Sequence, residues 1–216
     1  MASSRVYISL LLLSLIVLML VTGCNMQREG NLIGTVLKDS PKAMDFKLVD
    51  QFGGIVKLSD YSDKVIMLTF LFTSCNDICP LVAHHLRETH NILVGETNDI
   101  VTLVVSVDPD RDTVINAHKF LEDYGMVDKW KYLVGTEKDL QTIWQAYYVS
   151  PGFIKESNIG EAVMDTDGLQ QSLITTYSIQ HQAPVYVIDR AGNIRSMFTL
   201  PFDPKDLAND VRVLSK

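Results

Sequence analysis

The 216-residue chain predicts an α/β fold, a central sheet buried between layers of helix. Three observations carry this. Residues 65–72, 100–107 and 185–188 are short apolar runs rich in β-branched side chains, as expected of strands covered on both faces. Stretches with helical apolar spacing lie between and after them. The chain closes on a strand, a turn and an amphipathic segment. Hydrophobic residues make up 47% and charged residues 21%, enough for one packed core. The formal net charge of -7 gives nucleic-acid binding no electrostatic support.

In order, residues 45–58 alternate apolar and polar around Asp50-Gln51-Phe52-Gly53-Gly54 and predict a β-hairpin. The first buried run follows. Residues 79–93 then place Leu81, Val82, His85, Leu86, Thr89 and Leu93 at helical spacing, with Gly95 as the stop. After the second run, residues 112–124 read as a helix closed by Gly125. Residues 131–134 read as a short strand, and Thr136 as the cap of a helix to about Tyr147. Residues 150–180 hold Pro, Gly, Ser and acidic residues without clear periodicity and read as an inserted loop with at most a small hairpin. The third run leads through Asp189-Arg190-Ala191-Gly192-Asn193 into a hairpin partner at 194–199. A last helix spans 203–214, with Pro204 in its first turn. A closing hairpin plus helix is the thioredoxin-like arrangement, here with an N-terminal hairpin extension and an insertion before the last strands.

The N-terminus differs from this body. Arg5 precedes an apolar run from Ile8 to Val21, broken by Ser9 and Ser14, and Val21-Thr22-Gly23-Cys24 follows. A positive start, an apolar stretch and a small-residue exit make a secretory signal, and its ending resembles a bacterial lipobox. The expected division is a signal peptide at 1–23, a polar tether at 24–42 with Cys24 lipidated, and a domain at 43–216. An extracytoplasmic, membrane-anchored lipoprotein follows. The alternative is an uncleaved anchor helix, with the same location for the body.

Removing Cys24 leaves the domain two cysteines, Cys75 and Cys79. Disulfides persist in the cell envelope, yet so small a loop gains little chain entropy from closure, so chemistry is the better reason for the pair. The segment Phe72-Thr73-Ser74-Cys75-Asn76-Asp77-Ile78-Cys79-Pro80 begins where the first buried run ends, at the sheet edge where open α/β folds bind ligands. A spacing of four sets both sulfurs on one helix face. N–H groups of a helix start favour thiolate over thiol. Two thiolates suit Cu(I), with Zn a weaker fit, and a third ligand is wanted. His84, His85, His90 and His118 lie on helical stretches and read as surface or packing residues. His181 sits in a polar loop just before the third run, where a thioredoxin-like sheet brings it back beside the cysteines. By itself, a loop histidine carries no assignment.

Three ordered motifs change its standing. They are Cys75-x-x-x-Cys79-Pro80 after an apolar strand, then Ser106-Val107-Asp108-Pro109-Asp110-Arg111-Asp112-Thr113, then His181 eight residues before Asp189 of Tyr186-x-Ile188-Asp189-x-x-Gly192. Together they resemble the Sco/SenC family of copper-binding thioredoxin-like proteins, from about Leu32 to the C-terminus. The resemblance implies copper, Cu(I) or Cu(II), held by Cys75, Cys79 and His181. It implies a metallochaperone for the dinuclear copper site of cytochrome c oxidase subunit II, or another copper acceptor. The alternative is a thiol–disulfide oxidoreductase that keeps the acceptor's cysteines reduced, with Cys75 attacking and Cys79 resolving. A copper donor or thiol reductant of the envelope is the implied second partner. Physically, Asp112 or Thr113 is expected to cap the next helix and Arg111 to pair with Asp108. A peroxidase on the same fold is disfavoured by the cysteine spacing, and an adhesive lipoprotein has no need of the pair.

Overall fold

The computed structural model describes residues 31–96, 99–155, 177–180 and 182–216. Cys24, His181, the signal segment and most of the inserted loop lie outside the described residues.

A six-stranded sheet runs in the order β1 (Thr35–Val36), β10 (Ile194–Phe198), β9 (Val185–Ile188), β4 (Val65–Leu71), β5 (Ile100–Ser106) and β6 (Trp130–Leu133). β4, β5 and β6 are mutually parallel, from Val65 beside Ile100 to Leu71 beside Ser106, while β9 lies antiparallel to β4 on its other side. Every residue of β4 is buried. This explains a run with no polar alternation: helices cover both faces, and each large apolar side chain withdrawn from water contributes about 1.5–3 kcal/mol. The connections between the parallel strands are helical: α1 (Ile78–Leu93) joins β4 to β5, and α2 (Val114–Asp123) joins β5 to β6. α3 (Glu137–Ala146) and α4 (Pro204–Leu214) complete the helices.

The caps follow sequence. Thr113 Oγ1 accepts from the Asn116 amide (3.2 Å), Thr136 from Asp139 (3.3 Å), and Asp203 from Lys205 (2.8 Å) with Pro204 next in the chain. α4 packs along α1, where the hydroxyl of Thr89 reaches the Pro204 carbonyl. The turn between β9 and β10 is held by Asp189, whose Oδ1 accepts from the amides of Ala191 and Asn193, while Gly192 takes a left-handed φ of 77°.

β2 (Lys47–Val49) and β3 (Ile55–Lys57) form the expected N-terminal hairpin, followed by a 3₁₀ turn at Leu58–Tyr61. The hairpin is fastened to the β6 edge. Val49 and Val134 exchange both backbone hydrogen bonds. Buried Gln51 donates to the Val127 and Trp130 carbonyls and accepts from the Tyr132 amide, so its amide group behaves like one residue of a seventh strand.

Two features depart from the expected outline. β1, paired with β10 through Thr35–Met197 and Val36–Ser196, lies in the stretch expected to be a tether. It is secured by the buried Asp210 carboxylate, which accepts from the amides of Ile33 and Gly34 and from Ser196 Oγ. The ends of the inserted loop pair as β7 (Gly152–Lys155) and β8 (Tyr177–Gln180), so the insertion stands on a two-stranded base. Among the described residues no helix is long and apolar enough to cross a membrane.

Candidate metal and thiol site

β4 ends at Leu71, and the chain turns through exposed Ser74, Asn76 and Asp77 before α1 begins at Ile78. Both cysteines are free thiols, Cys75 half-buried in this turn and Cys79 fully buried as the second residue of α1. Cys75 is therefore not on the helix, and one face of a helix is not what unites the sulfurs. The turn folds back so that the Cys79 thiol donates to the Cys75 sulfur. Pro80 stands in the first turn of α1, where its missing N–H costs no helical bond.

The start of α1 lacks the usual oxygen cap: Asp77 occupies the cap position without a side-chain bond. Its place is taken by sulfur, because the amides of Asp77, Ile78 and Cys79 point at Cys75. The acidity of the pair splits accordingly. The hydrogen bond from Cys79, joined by those three amides, outweighs burial and brings Cys75 down to about 6. Cys79 moves the other way, because its proton is committed to Cys75 and burial opposes its charge; the negative charges of Cys75 and Asp112 add to this. The pair holds one thiolate facing outward and one thiol facing inward.

Behind the turn sits Asp112, 4% exposed. Its Oδ1 accepts from the Thr73 amide (2.9 Å) and hydroxyl (2.7 Å), and its Oδ2 accepts from Ser106 Oγ (2.6 Å) and Tyr132 OH (2.8 Å). Burial pushes its pKa up, and these four bonds oppose that shift. Tyr132, wholly buried beside it, is held well above the usual phenol value and remains a donor. Thr113 takes the capping role alone, which frees Asp112 for this junction. The expected pair of Arg111 and Asp108 is present, and the Arg111 guanidinium lies 5.8 Å from the centre of the Phe72 ring. Nothing in helical periodicity marks Asp112 as a hub. The available signal is that polar Thr73 stands two residues beyond β4, Ser106 ends β5, and Tyr132 lies buried within β6.

The remaining histidines lead elsewhere. Arg87 meets His84 Nδ1 (3.1 Å), His85 packs edge-on against Phe202, and His118 packs against Phe52. Burial lowers the pKa of His85 and His90. Among the described residues no group of three or more His, Cys, Asp or Glu forms a metal-binding cluster. The expected third ligand, His181, lies outside them.

Residues 35–216 match the family model described as SCO1/SenC. A SCO2-like protein of Rickettsia felis is 29% identical over 163 residues, 76% of this chain and 72% of that one. The structure of Bradyrhizobium japonicum ScoI with copper bound is 24% identical, with a TM-score of 0.64 over 80% of this chain and 99% of that one. BsSco, described as a member of the Sco family of cytochrome c oxidase assembly proteins in which a disulfide switch was identified, is 21% identical, with a TM-score of 0.60 over 86% and 96%. The two structural likenesses bear on the fold, which is thioredoxin-like, with the N-terminal hairpin and the inserted segment added.

Proposed function

Since the chain belongs to the SCO1/SenC family, we propose that it is a copper metallochaperone of the cell envelope, binding Cu(I) through Cys75 and Cys79 with His181 as third ligand. The observation that carries this is the cysteine pair itself: two free thiols in hydrogen-bond contact at the end of a buried strand, one already acidic. The donor set fits the ion, since soft thiolates favour Cu(I) and an added imidazole accommodates Cu(II) as well. Ligation by both sulfurs requires the Cys79 proton to leave, so binding releases a proton. ScoI of Bradyrhizobium japonicum holds copper on the same fold, which supports the choice of metal.

Copper is then cargo, passed by ligand exchange to cysteines of an acceptor. The membership of BsSco among cytochrome c oxidase assembly proteins supports that oxidase as the destination, and on this proposal the dinuclear site of its subunit II is the acceptor. A lipid on Cys24, after removal of residues 1–23, would hold the domain outside the cytoplasm on the polar segment that follows. The apolar run and small-residue exit of the N-terminus support this anchor.

The test is titration of the reduced, metal-free full chain with Cu(I) against a competing chelator. One Cu(I) per chain is expected. Cys75→Ser and Cys79→Ser each abolish tight binding, and His181→Ala weakens it. Wild-type affinity in either cysteine variant would overturn the assignment.

A second reading has its own observation. One outward thiolate backed by one buried thiol is the arrangement of an attacking and a resolving cysteine, and a disulfide switch has been identified in BsSco. On this reading the same pair reduces the acceptor's cysteines before the metal arrives.

A further inference from the structure

We propose that Asp112 is a positioning residue for the cysteine pair, fixing the Cys75 turn through Thr73 and, by its buried charge, favouring the Cys75–Cys79 disulfide over the dithiol. This rests on the reading of Cys75 and Cys79 as the working pair.

Three observations carry it. Asp112 grips the turn twice, at the amide and the hydroxyl of Thr73, two residues before Cys75. The same carboxylate is tied to the last residue of β5 through Ser106 and to β6 through Tyr132, so the turn is referred to the rigid sheet rather than to the loop. All four hydrogen bonds come from neutral groups, and no Lys or Arg neutralises Asp112 among the described residues. Four donors and no acceptor suit an ionised carboxylate, leaving an uncompensated negative charge in a medium of low effective dielectric.

Such a charge acts on the pair in a fixed direction. Cu(I) binding brings in one positive charge and expels the Cys79 proton, so the charge of the site is unchanged and Asp112 acts on it through the position of the turn. Reduction of a Cys75–Cys79 disulfide takes up two electrons and at most two protons, so it adds negative charge or none, and Asp112 opposes it. Asp112→Asn is nearly isosteric, preserves an oxygen for Thr73 and removes the charge. The Ser106 and Tyr132 hydroxyls can rotate to accept from the new amide.

The experiment uses the full, metal-free chain equilibrated with mixtures of reduced and oxidised dithiothreitol. In this exchange the protein disulfide becomes a dithiol as the reagent's two thiols close to a ring disulfide, and alkylation counts the free thiols. Asp112→Asn is expected to shift the equilibrium about tenfold toward the dithiol, the size expected of one unit charge inside a protein, while Cu(I) affinity in chelator competition stays within about threefold of wild type because the asparagine keeps an oxygen for Thr73. Asp210→Asn, which alters a buried carboxylate bound to the β1 lead-in rather than to the cysteine turn, is the control for general loosening and should move neither quantity. A folded Asp112→Asn whose dithiol–disulfide equilibrium stays within about twofold of wild type overturns the proposal, as does an equal shift in Asp210→Asn. Should Asp112→Asn fail to fold, Thr73→Val keeps the charge and removes one of the two bonds to the turn; an unchanged Cu(I) affinity in that variant overturns the positioning role. A wild-type chain that neither binds Cu(I) nor forms the Cys75–Cys79 disulfide defeats the underlying reading and this inference with it, whereas a competent wild type with unresponsive variants defeats this inference alone.

Discussion

The thiol of Cys79 donates a hydrogen bond to the sulfur of Cys75, and the acidities of the two residues move from a common starting point in opposite directions. Cys75, brought down to about 6 from an ordinary 9.0, is a thiol below that value and a thiolate above it. In the reduced, metal-free protein, alkylation by iodoacetamide is therefore expected to rise about tenfold per pH unit below pH 6 and to level off above it. An unperturbed thiol would still be accelerating at pH 8. Cys79 should remain unmodified across the same range until the protein unfolds. A single reactive thiol by mass spectrometry, with a midpoint near 6, is the check.

Cys79→Ala removes the donor but leaves the three amides at the start of α1. The alkylation midpoint of Cys75 should then move upward by about one unit or more, because the first cause of its acidity is gone. A midpoint that stays near 6 would assign the acidity to the helix start alone.

If the thiol-exchange reading holds, Cys75 of Cys79→Ser attacks the disulfide of an oxidised acceptor, expels one of its sulfurs as thiolate, and should accumulate as a mixed disulfide because no resolving thiol remains. Cys75→Ser should accumulate none, its surviving thiol being fully buried. Non-reducing electrophoresis with a disulfide-bonded dicysteine peptide as acceptor distinguishes the two.

Gln51→Ala is expected to cost about 2–3 kcal/mol in urea unfolding. It removes three hydrogen bonds and leaves the Val127 and Trp130 carbonyls and the Tyr132 amide without their partner at the edge of β6. Phe70→Ala, which empties a fully buried position packed on Tyr147 and Tyr186, should cost about 3–5 kcal/mol. Equal midpoints for wild type and Gln51→Ala would refute the account of the hairpin attachment.

The sheet strands β4, β5 and β9 and all four helices were legible in the sequence, because burial on both faces and amphipathic spacing leave strong patterns. The hairpin at 47–57 was legible from its glycine turn. β1 was not. It is two exposed residues long, and its lead-in at Ile33 and Gly34 is secured by a carboxylate 177 and 176 positions away, so nothing local announces the pairing. The cysteine pair was legible as a pair, but its geometry was not: a spacing of four suggested a shared helix face, whereas the helix starts three residues after Cys75 and the turn supplies the contact. Asp112 read as a cap because Asp and Thr before a helix usually are. Thr113 took that position, and the tertiary role of Asp112 depended on strands β5 and β6 arriving beside it.

The attachment of the N-terminal hairpin has a consequence for the protein among its neighbours. β6 is an outer strand with unspent backbone donors and acceptors, the kind of border along which sheets from separate molecules add to one another. Gln51 and the Val49–Val134 contact occupy part of that border, and at the opposite margin β1 is only two residues long. Many copies can therefore be crowded together with little tendency to polymerise strand upon strand.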